Sequence, residues 1–342
     1  MPSNIPKFHL FAKYIQIIGK GPKLSRPLTE EEAYAAVHMI LDGAVEPIQL
    51  GAFLSILRLR EEVPAEGTGF VRAMRTATII PNNCSAVDLD WPTFSGKKRQ
   101  LPWFLLAALL LAQNGVRICM QGPDSHTPDR IFTRDALKVL GIPIARSVAE
   151  ASQHIAEHHF AYLPLRAFLP KLQDIIELKP VLGLRSPFNT FTRQANPFAA
   201  PYQLITVAHP GYIDIHCAVA QQVAQPHMAV FKGEGGESER RPTKPLEVKY
   251  LHDGLINEET WPPILTNSHA DADPTMDVSR LEAVWRGSEE NLYADGAVIG
   301  TVAIVLRLMD KAEDPSQAIA MAQELWANRN RAVLHHAASS VN

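Results

Sequence analysis

The sequence predicts an α/β protein in which a small all-helical N-terminal domain precedes a larger α/β domain with a central, mostly parallel sheet. Three observations predict this fold. The first eighty residues carry four helix patterns and no strand pattern. Short β-type segments then alternate with helices through residues 84–164 and again after residue 196, an order typical of parallel sheets. Finally, the uncharged run at residues 101–112 would rise only about 18 Å as a helix, too short to cross a bilayer, so it belongs in a core.

The boundaries follow from these patterns. We place the helical domain at residues 1–80, joined by a helical excursion at residues 165–195, and the α/β domain at residues 81–164 and 196–342. The helix at 7–18 is amphipathic, Thr29 begins a capping box, and Pro47 and Pro64 open the next two helices. Four short helices cannot bury all their apolar surface among themselves. Packing within the chain and a dimer interface both remain open.

The remaining elements are assigned from periodicity and turn signals. The strands are expected at 87–89, 116–120, 160–163, 202–208 and 228–231. Further helices are expected at 101–112, 130–140, 149–158, 168–176, 209–223, 293–310 and 315–327, with an acidic loop before the last two.

Composition excludes several classes of protein. With 342 residues and 46% hydrophobic content, the chain can bury a large core. Its three cysteines lie far apart without metal-ligand spacing, which favours a reducing compartment and argues against structural zinc. No apolar signal segment opens the chain, so a cytoplasmic protein without a membrane partner is expected. No HExxH motif occurs, and no GxSxG motif surrounds any serine, so no catalytic residue and no metal ligand is assigned.

A basic loop precedes the apolar run. Residues 95–100 read SGKKRQ, and residues 95–146 hold eight cations against three acids, whereas residues 251–342 hold six cations against fourteen acids. A cationic loop at a helix start and beyond a strand end suits an anion. The alternative is a solvated basic loop that merely covers a core helix.

Two longer segments carry a resemblance to a known family. LDGAVEPIQLGAFLSILRLREE and GLRSPFNTFTRQANPF are similar to motifs of the anthranilate phosphoribosyltransferase family, and the likeness spans nearly the whole chain. It implies the fold shared with the pyrimidine nucleoside phosphorylases and a head-to-head dimer through the helical domains. Arg185 stands where the family has a substrate-binding arginine. It is expected to hold a carboxylate or phosphate, or else to cap the packing between domains.

The chain departs from that family at the motifs that carry its chemistry. The glycine-rich GTGGD loop is replaced by residues 90–96, DWPTFSG, and the KHGNR loop by residues 120–124, MQGPD. The magnesium-binding Asp-Glu pair reads Ser238-Glu239. Losing one electrostatic contact to a transition state costs roughly 10²–10³ in rate, and several are missing. The departures therefore predict no magnesium, no other cofactor and no ordinary anthranilate transfer.

The departures themselves resemble a second branch of the family. SGKKRQ, MQG, VAHPGYI and KGEGGE are similar to motifs of the divergent YbiB-like proteins. This implies a homodimer that binds nucleic acid, DNA or RNA, without sequence preference. The anion pocket is assigned to Ser95, Gly96, Lys97, Lys98, Arg99, Gln121, Gly122 and Arg185. The nucleic-acid surface is assigned to Lys97, Lys98, Arg99, Arg193, Arg240, Arg241 and Lys244.

Three aromatic residues near the basic loop are candidates for stacking on unpaired bases. Trp103 fits the core better because it lies in the apolar run, while Trp91 and Phe94 are open to either role. Three functions follow from the sequence: a nucleic-acid-binding dimer as the leading one, a glycosyl- or phosphoribosyltransferase for an unidentified acceptor, and a scaffold for a protein partner. A small phosphorylated molecule is a further candidate ligand.

Overall fold

A seven-stranded sheet forms the centre of the computed structural model, which describes residues 9–266 and 272–334. The strands are β1 Leu89–Pro92, β2 Ile118–Gly122, β3 Phe160–Pro164, β4 Tyr202–Val207, β5 His227–Lys232, β6 Leu246–His252 and β7 Leu255–Trp261. Their order is β3-β2-β1-β4-β5-β6-β7. The first five strands run parallel, and β6 and β7 are antiparallel to their neighbours. The mostly parallel sheet is thereby confirmed.

Helices surround this sheet and form the N-terminal part of the chain. They are α1 Ala12–Gly19, α2 Glu30–Leu41, α3 Pro47–Arg60, α4 Pro64–Ala77, α5 Phe104–Gln113, α6 Thr133–Val139, α7 Val148–His158, α8 Leu165–Phe168, α9 Pro170–Glu177, α10 Lys179–Leu182, α11 Phe188–Phe191, α12 Ile213–Gln222, α13 Ser279–Arg286, α14 Leu292–Leu308 and α15 Pro315–Ala327. Within the described residues, no helix is both long and apolar enough to span a membrane. The helix expected at 7–18 begins at Ala12, and residues 1–8 lie outside the described part of the chain.

The N-terminal helices pack together with the helical excursion. The Thr29 hydroxyl accepts from the backbone N–H of Glu32 at 3.2 Å and the Glu32 carboxylate accepts from that of Thr29 at 2.9 Å, which confirms the capping box. One apolar cluster contains side chains of α1–α4 and of α8, α9 and α11. At its centre the rings of Phe70 and Phe188 stack with their centroids 5.1 Å apart. The excursion therefore shares its core with the first four helices.

A second apolar cluster lies on the opposite face of the sheet. Helix α5 is buried from Phe104 to Ala112, as its uncharged sequence predicts, and it packs alongside α14. Alternate strand residues such as Leu89, Trp91 and Met120 point into this cluster. With a core on both faces, the polar groups that face a ligand are confined to the edges of the sheet.

Strand β1 lies later in the chain than the pattern predicts, which corrects two side-chain assignments. The strand includes Trp91 and Pro92, and the Trp91 side chain is fully buried. Phe94 directly follows the strand and is only 4% exposed. Neither ring reaches solvent to stack on a base, so this use of Trp91 and Phe94 is wrong. Trp103 is fully buried, which confirms its place in the core.

The hairpin β6–β7 and helix α13 are absent from the sequence-based assignment. Asp253 and Gly254 form the hairpin turn with φ values of 46° and 85°. Two successive positive φ values are typical of a type I′ turn, for which Asp-Gly is a strong signal. The acidic residues Glu258 and Glu259, on β7, had favoured a loop instead.

Candidate functional site

The candidate site lies where the strand order reverses, between β1 and β4. From β1 the chain proceeds to β2 and β3 on one side, and β4 and β5 extend the sheet on the other. Loops 93–103, 123–132, 208–212 and 233–245 follow β1, β2, β4 and β5 at the carboxyl edge. This crevice is the usual ligand position in open α/β sheets.

The loop after β1, assigned to the anion pocket, binds an anion from its own chain. The backbone N–H groups of Phe94, Ser95 and Gly96 all donate to the carboxylate of Glu237, the first two at 3.2 and 2.7 Å. Gly96 has φ +65°, which turns consecutive N–H groups toward one point. We call this group of three amides the 94–96 nest. Glu237 is 1% exposed, and burial raises the pKa of its carboxyl, opposed by Arg193 and the nest amides.

The loop after β5 is shaped to deliver Glu237. Gly235 and Gly236 have φ values of 66° and 85°, positions that residues with a side chain rarely adopt. A Cβ at Gly236 would lie 2.7 Å from the Ser95 hydroxyl, and one at Gly233 would lie 1.9 Å from the Glu237 carbonyl oxygen. The two loops are thus in direct backbone contact.

Lys97 does not belong to an exposed basic surface, which corrects its assignment to nucleic acid. Its ammonium lies 2.6 Å from the carboxylate of Glu239, with side chains 2% and 0% exposed. Glu239 also accepts from the backbone N–H of Phe104 at 2.9 Å. The cation of Lys97 is therefore neutralised by an internal partner rather than offered to solvent.

The same contacts test whether magnesium fits. The hydroxyl of Ser238 faces the Pro92 carbonyl oxygen at 3.2 Å and the Thr206 hydroxyl at 3.1 Å, and Glu239 already holds the ammonium of Lys97. A divalent ion needs several free oxygen ligands. The residues at the family's metal position do not fit one. Among the described residues, no group of three or more acidic, histidine or cysteine side chains is arranged to hold a metal.

Arg193 and Arg240 are also buried, which corrects their assignment to an exposed surface. Arg193 is 9% exposed and donates to the Ser95 hydroxyl at 3.1 Å, and burial lowers its pKa to about 10. Arg240 is fully buried, lies over the Trp261 ring at 5.2 Å and contacts the Pro262 carbonyl oxygen. Both side chains hold loops in place.

Other assigned residues divide between surface and core. Lys98, Arg99 and Lys244 are exposed, while Arg241 is half-buried and pairs with Glu234 at 3.9 Å. Gln121 and Gly122 are the buried end of β2, where a Cβ on Gly122 would meet the Thr93 carbonyl oxygen at 2.0 Å. These two residues close the packing of β2 on β1 and do not line the cleft described next.

Arg185 does line a cleft. The opening has a volume of about 110 Å³ between the helical excursion, the end of α3 and the loop after β4. Its other lining residues include Arg58, Ser186, Asn189 and His209. Arg58 donates to the Tyr212 hydroxyl at 3.1 Å, whereas Arg185 makes no hydrogen bond or ion pair within the described residues. Partial desolvation lowers the pKa of Arg185, and neighbouring Arg130 and Arg58 lower it further.

Further positive charge lies beside this cleft. Lys179 contacts the Thr127 hydroxyl at 3.2 Å, and Arg130 donates to the carbonyl oxygens of Ser95 and Gly96, each at 3.0 Å. Desolvation lowers the pKa of Lys179, and Arg185 and Arg130 add to the effect. Three cations, Arg130, Lys179 and Arg185, thus repel one another, and none forms an ion pair in the described part of the chain. We call them the cleft cations.

Comparison with known proteins places the chain in a family. Residues 12–78 match the helical bundle domain, and residues 104–330 the a/b domain, of the glycosyl transferase family. The chain belongs to this family. Within it, the chain is anthranilate phosphoribosyltransferase-like: it is 30% identical over 306 residues to the anthranilate phosphoribosyltransferase of Rhizobium meliloti (strain 1021), covering 87% of this chain and 89% of that one.

Two further comparisons extend this placement. Over 207 residues the glycosyl transferase family member is 30% identical to the "Uncharacterized protein YbiB" of Escherichia coli (strain K12), covering 59% of this chain and 64% of YbiB. The structure of anthranilate phosphoribosyltransferase from Thermus thermophilus matches with a TM-score of 0.78 and 23% identity, over 96% of this chain and 97% of that one. At that identity the structural match establishes the fold alone, and it agrees with the predicted one.

Sequence reasoning missed several site residues of this glycosyl transferase family member. Glu237 reads as part of a polar glycine-rich loop, and Arg130 and Lys179 sit in segments without any motif. The available signal for Glu237 was a third acid beside the Ser238-Glu239 pair. No signal marked Arg130 or Lys179, because their proximity to Arg185 arises only from the folded loops.

Proposed function

We propose that this protein binds nucleic acid without sequence preference, as a homodimer, and does not carry out ordinary anthranilate transfer. The observation that carries the proposal is the group of cleft cations, which lie at the carboxyl edge without carboxylate partners in the described residues. Bringing like charges together is unfavourable unless an anion balances them. A phosphate backbone supplies that anion repeatedly and without regard to base sequence.

The exposed basic residues extend this positive surface. Lys98 and Arg99 follow the buried Lys97, and Lys244 lies on the loop that carries Glu237. Loops 93–103 and 233–245 contact one another, so these cations share the carboxyl edge with the cleft. With Lys97, Arg193 and Arg240 removed by burial, the proposed surface consists of Lys98, Arg99 and Lys244 together with the cleft cations.

The proposed loss of anthranilate transfer is supported by the same loops. The 94–96 nest already holds the Glu237 carboxylate, and the ammonium of Lys97 already sits on Glu239. A transition state that develops charge on a departing pyrophosphate needs free donors or a metal ion to stabilise it. Neither is offered by the residues at these positions.

A salt-series gel shift on a single-stranded DNA tests nucleic-acid binding. We expect the double variant Lys179→Ala/Arg185→Ala to bind about tenfold more weakly at low salt, with a salt slope reduced by about two, because each lost phosphate contact removes about one unit. Lys311→Ala is the control: this exposed lysine lies near Asp88, before β1, at the opposite edge of the sheet. It should bind like the wild type. Absence of wild-type binding at low salt, or an unchanged slope in the double variant, would contradict the proposal.

The homodimer is supported by an exposed apolar patch on the helical domain. Ile48 and Leu59 of α3 are each 83% exposed and lie three helical turns apart on one face. Val181 is 81% exposed on α10, whose Leu182 contacts Gly51 of α3. Three large apolar side chains exposed on one domain are typical of a protein contact.

Sedimentation velocity tests the patch. We expect Leu59→Glu to weaken the dimer by about thirtyfold, because a two-fold axis places the new charge in the interface from both chains. The control is Leu255→Glu, since Leu255 is also highly exposed, at 71%, but lies on β7. A wild type that sediments as a monomer at micromolar concentration would rule out the dimer.

A phosphoribosyltransferase for an unidentified acceptor is the second candidate. The observation favouring it is the guanidinium of Arg185, unpaired within the described residues, beside Ser186 and Asn189, a combination suited to a small carboxylate. Calorimetry with phosphoribosyl pyrophosphate and magnesium separates the two. Micromolar binding in the wild type would favour the transferase, whereas no heat together with a positive gel shift would favour nucleic acid.

A further inference from the structure

We propose that Glu237 is a built-in substitute for a phosphate group. The 94–96 nest binds its carboxylate, and inorganic phosphate or pyrophosphate gains the nest only when that carboxylate is removed. The inference goes beyond the proposed function, because it concerns the nest rather than the cleft cations or any nucleic acid.

The geometry is that of an anion site with its ligand in place. Three successive backbone N–H groups converge on one carboxylate, with Ser95 and Gly96 donating to the same oxygen. Nests of this kind bind phosphates through several N–H groups at once. A carboxylate presents two oxygens to such a nest, as the edge of a phosphate group does.

The charge of Glu237 is balanced as a bound anion is balanced. Within the described residues Glu237 forms no ion pair. The nearest cation is Arg193, which lowers the pKa of Glu237 but donates its N–H groups to the Ser95 hydroxyl and the Gly236 carbonyl oxygen. The carboxylate is therefore held chiefly by the backbone of another loop. Such a carboxylate differs from one that merely closes a salt bridge.

A second side chain nearby acts in the complementary sense. Lys97 places an ammonium on Glu239, next to Ser238 at the position where relatives carry the metal-binding pair. One loop thus supplies an anion to the nest, and the other supplies a cation to the acidic loop. Two substitutions of opposite charge, in loops that exchange both contacts, point to one closed site rather than to a chance polar contact.

The loop around Glu237 leaves it little freedom to withdraw. The Glu239 backbone N–H donates to the Glu237 carbonyl oxygen at 2.7 Å, and the Glu234 N–H donates to the Glu239 carbonyl oxygen at 2.8 Å. Removing the carboxylate alone would leave this backbone unchanged and expose three unpaired donors. Unpaired buried donors are costly, so an anion of the right size should bind there.

Titration calorimetry with sodium pyrophosphate, without magnesium, tests the proposal. We expect Glu237→Ala to bind pyrophosphate at least about tenfold more tightly than the wild type, as two or three recovered charge-assisted hydrogen bonds allow. Glu237→Gln keeps an acceptor oxygen in the nest and should stay closed. The matched control is Glu234→Ala, which removes a half-buried acid from the same loop without touching the nest.

The amide resonances of Ser95 and Gly96 locate the binding and protect the test from a variant that fails to fold. In the wild type, pyrophosphate should leave both resonances in place up to millimolar concentration. In Glu237→Ala, both should shift and saturate with the calorimetric affinity. A saturable shift in the wild type would overturn the proposal, as would a folded Glu237→Ala that gains no affinity.

The two proposals fail separately. Gel shifts of the wild type report on the cleft cations and do not require an open nest. Conversely, pyrophosphate binding by Glu237→Ala would be detected even if the protein bound no nucleic acid at all.

Discussion

Replacing Lys97 by alanine is expected to lower the free energy of unfolding by about 3 to 5 kcal/mol. The ammonium of Lys97 lies 2.6 Å from Glu239, and neither side chain reaches solvent. Alanine would leave the Glu239 carboxylate buried without its counterion. Burial raises the pKa of Glu239 to about 7 even with Lys97 in place, so the site tolerates no further loss of compensation.

Urea denaturation at pH 8 measures this loss, with Lys98→Ala as the neighbouring control. Because Lys98 is exposed, its replacement should change stability by less than about 0.5 kcal/mol. The double variant Lys97→Met/Glu239→Gln removes both charges and should recover much of the loss. If Lys97→Ala were as stable as Lys98→Ala but had lost nucleic-acid binding, Lys97 would be a surface cation after all.

Replacing Asp90 by asparagine is expected to stabilise the protein at pH 8 by about 2 to 4 kcal/mol. Asp90 is 1% exposed on β1, and burial raises the pKa of its carboxyl to about 7, with Gln203 and Arg75 opposing the rise. The Gln203 amide donates to one carboxylate oxygen at 2.7 Å. Among the described residues the other oxygen has no donor, and neither has the side-chain oxygen of Gln121 or of Gln203. Asparagine keeps an acceptor and adds two donors to this group.

The sign of the pH dependence follows from the direction of the shift. A carboxyl whose pKa is higher in the folded chain stabilises that chain below its ordinary pKa, near 3.8 for aspartate. The stabilisation declines as pH rises toward about 7. Thermal unfolding between pH 5 and pH 8 should therefore show a smaller loss in Asp90→Asn than in the wild type.

Asp88→Asn is the matched control for this prediction. Asp88 accepts from Arg117 at 2.6 Å, and although burial opposes it, this bond keeps the pKa of Asp88 below its ordinary value. Asp88→Asn should therefore be destabilising at pH 8, opposite in sign to Asp90→Asn. Destabilisation by both variants would show that Asp90 is held as a needed charge.

Much of the fold could be predicted because its signals are local. The capping box at Thr29 and the uncharged run that becomes α5 depend on neighbouring residues, and both segments fold as expected. The hairpin β6–β7 was missed although Asp253-Gly254 is a local turn signal, since acidic residues on β7 masked its alternation. Acids on an edge strand face solvent, and an edge strand tolerates them.

The site was harder to predict because its contacts are long-range. Lys97 and Glu239 are 142 residues apart, as are Ser95 and Glu237, and no periodicity links them. From sequence, three consecutive cations at 97–99 look equivalent. Folding separates them: Lys97 is directed inward against an acid, while Lys98 and Arg99 remain exposed. Burial of a charge depends on a partner that only the tertiary structure identifies.

The contact between loops 93–103 and 233–245 has a consequence for how this edge of the sheet becomes ordered. Enzymes commonly use substrate affinity to arrange mobile segments, so their order depends on how much substrate is present. Here the organising ions are covalently part of the polypeptide, through Glu237 and Lys97. Their effective concentration is fixed by the chain itself, and the arrangement persists at any dilution.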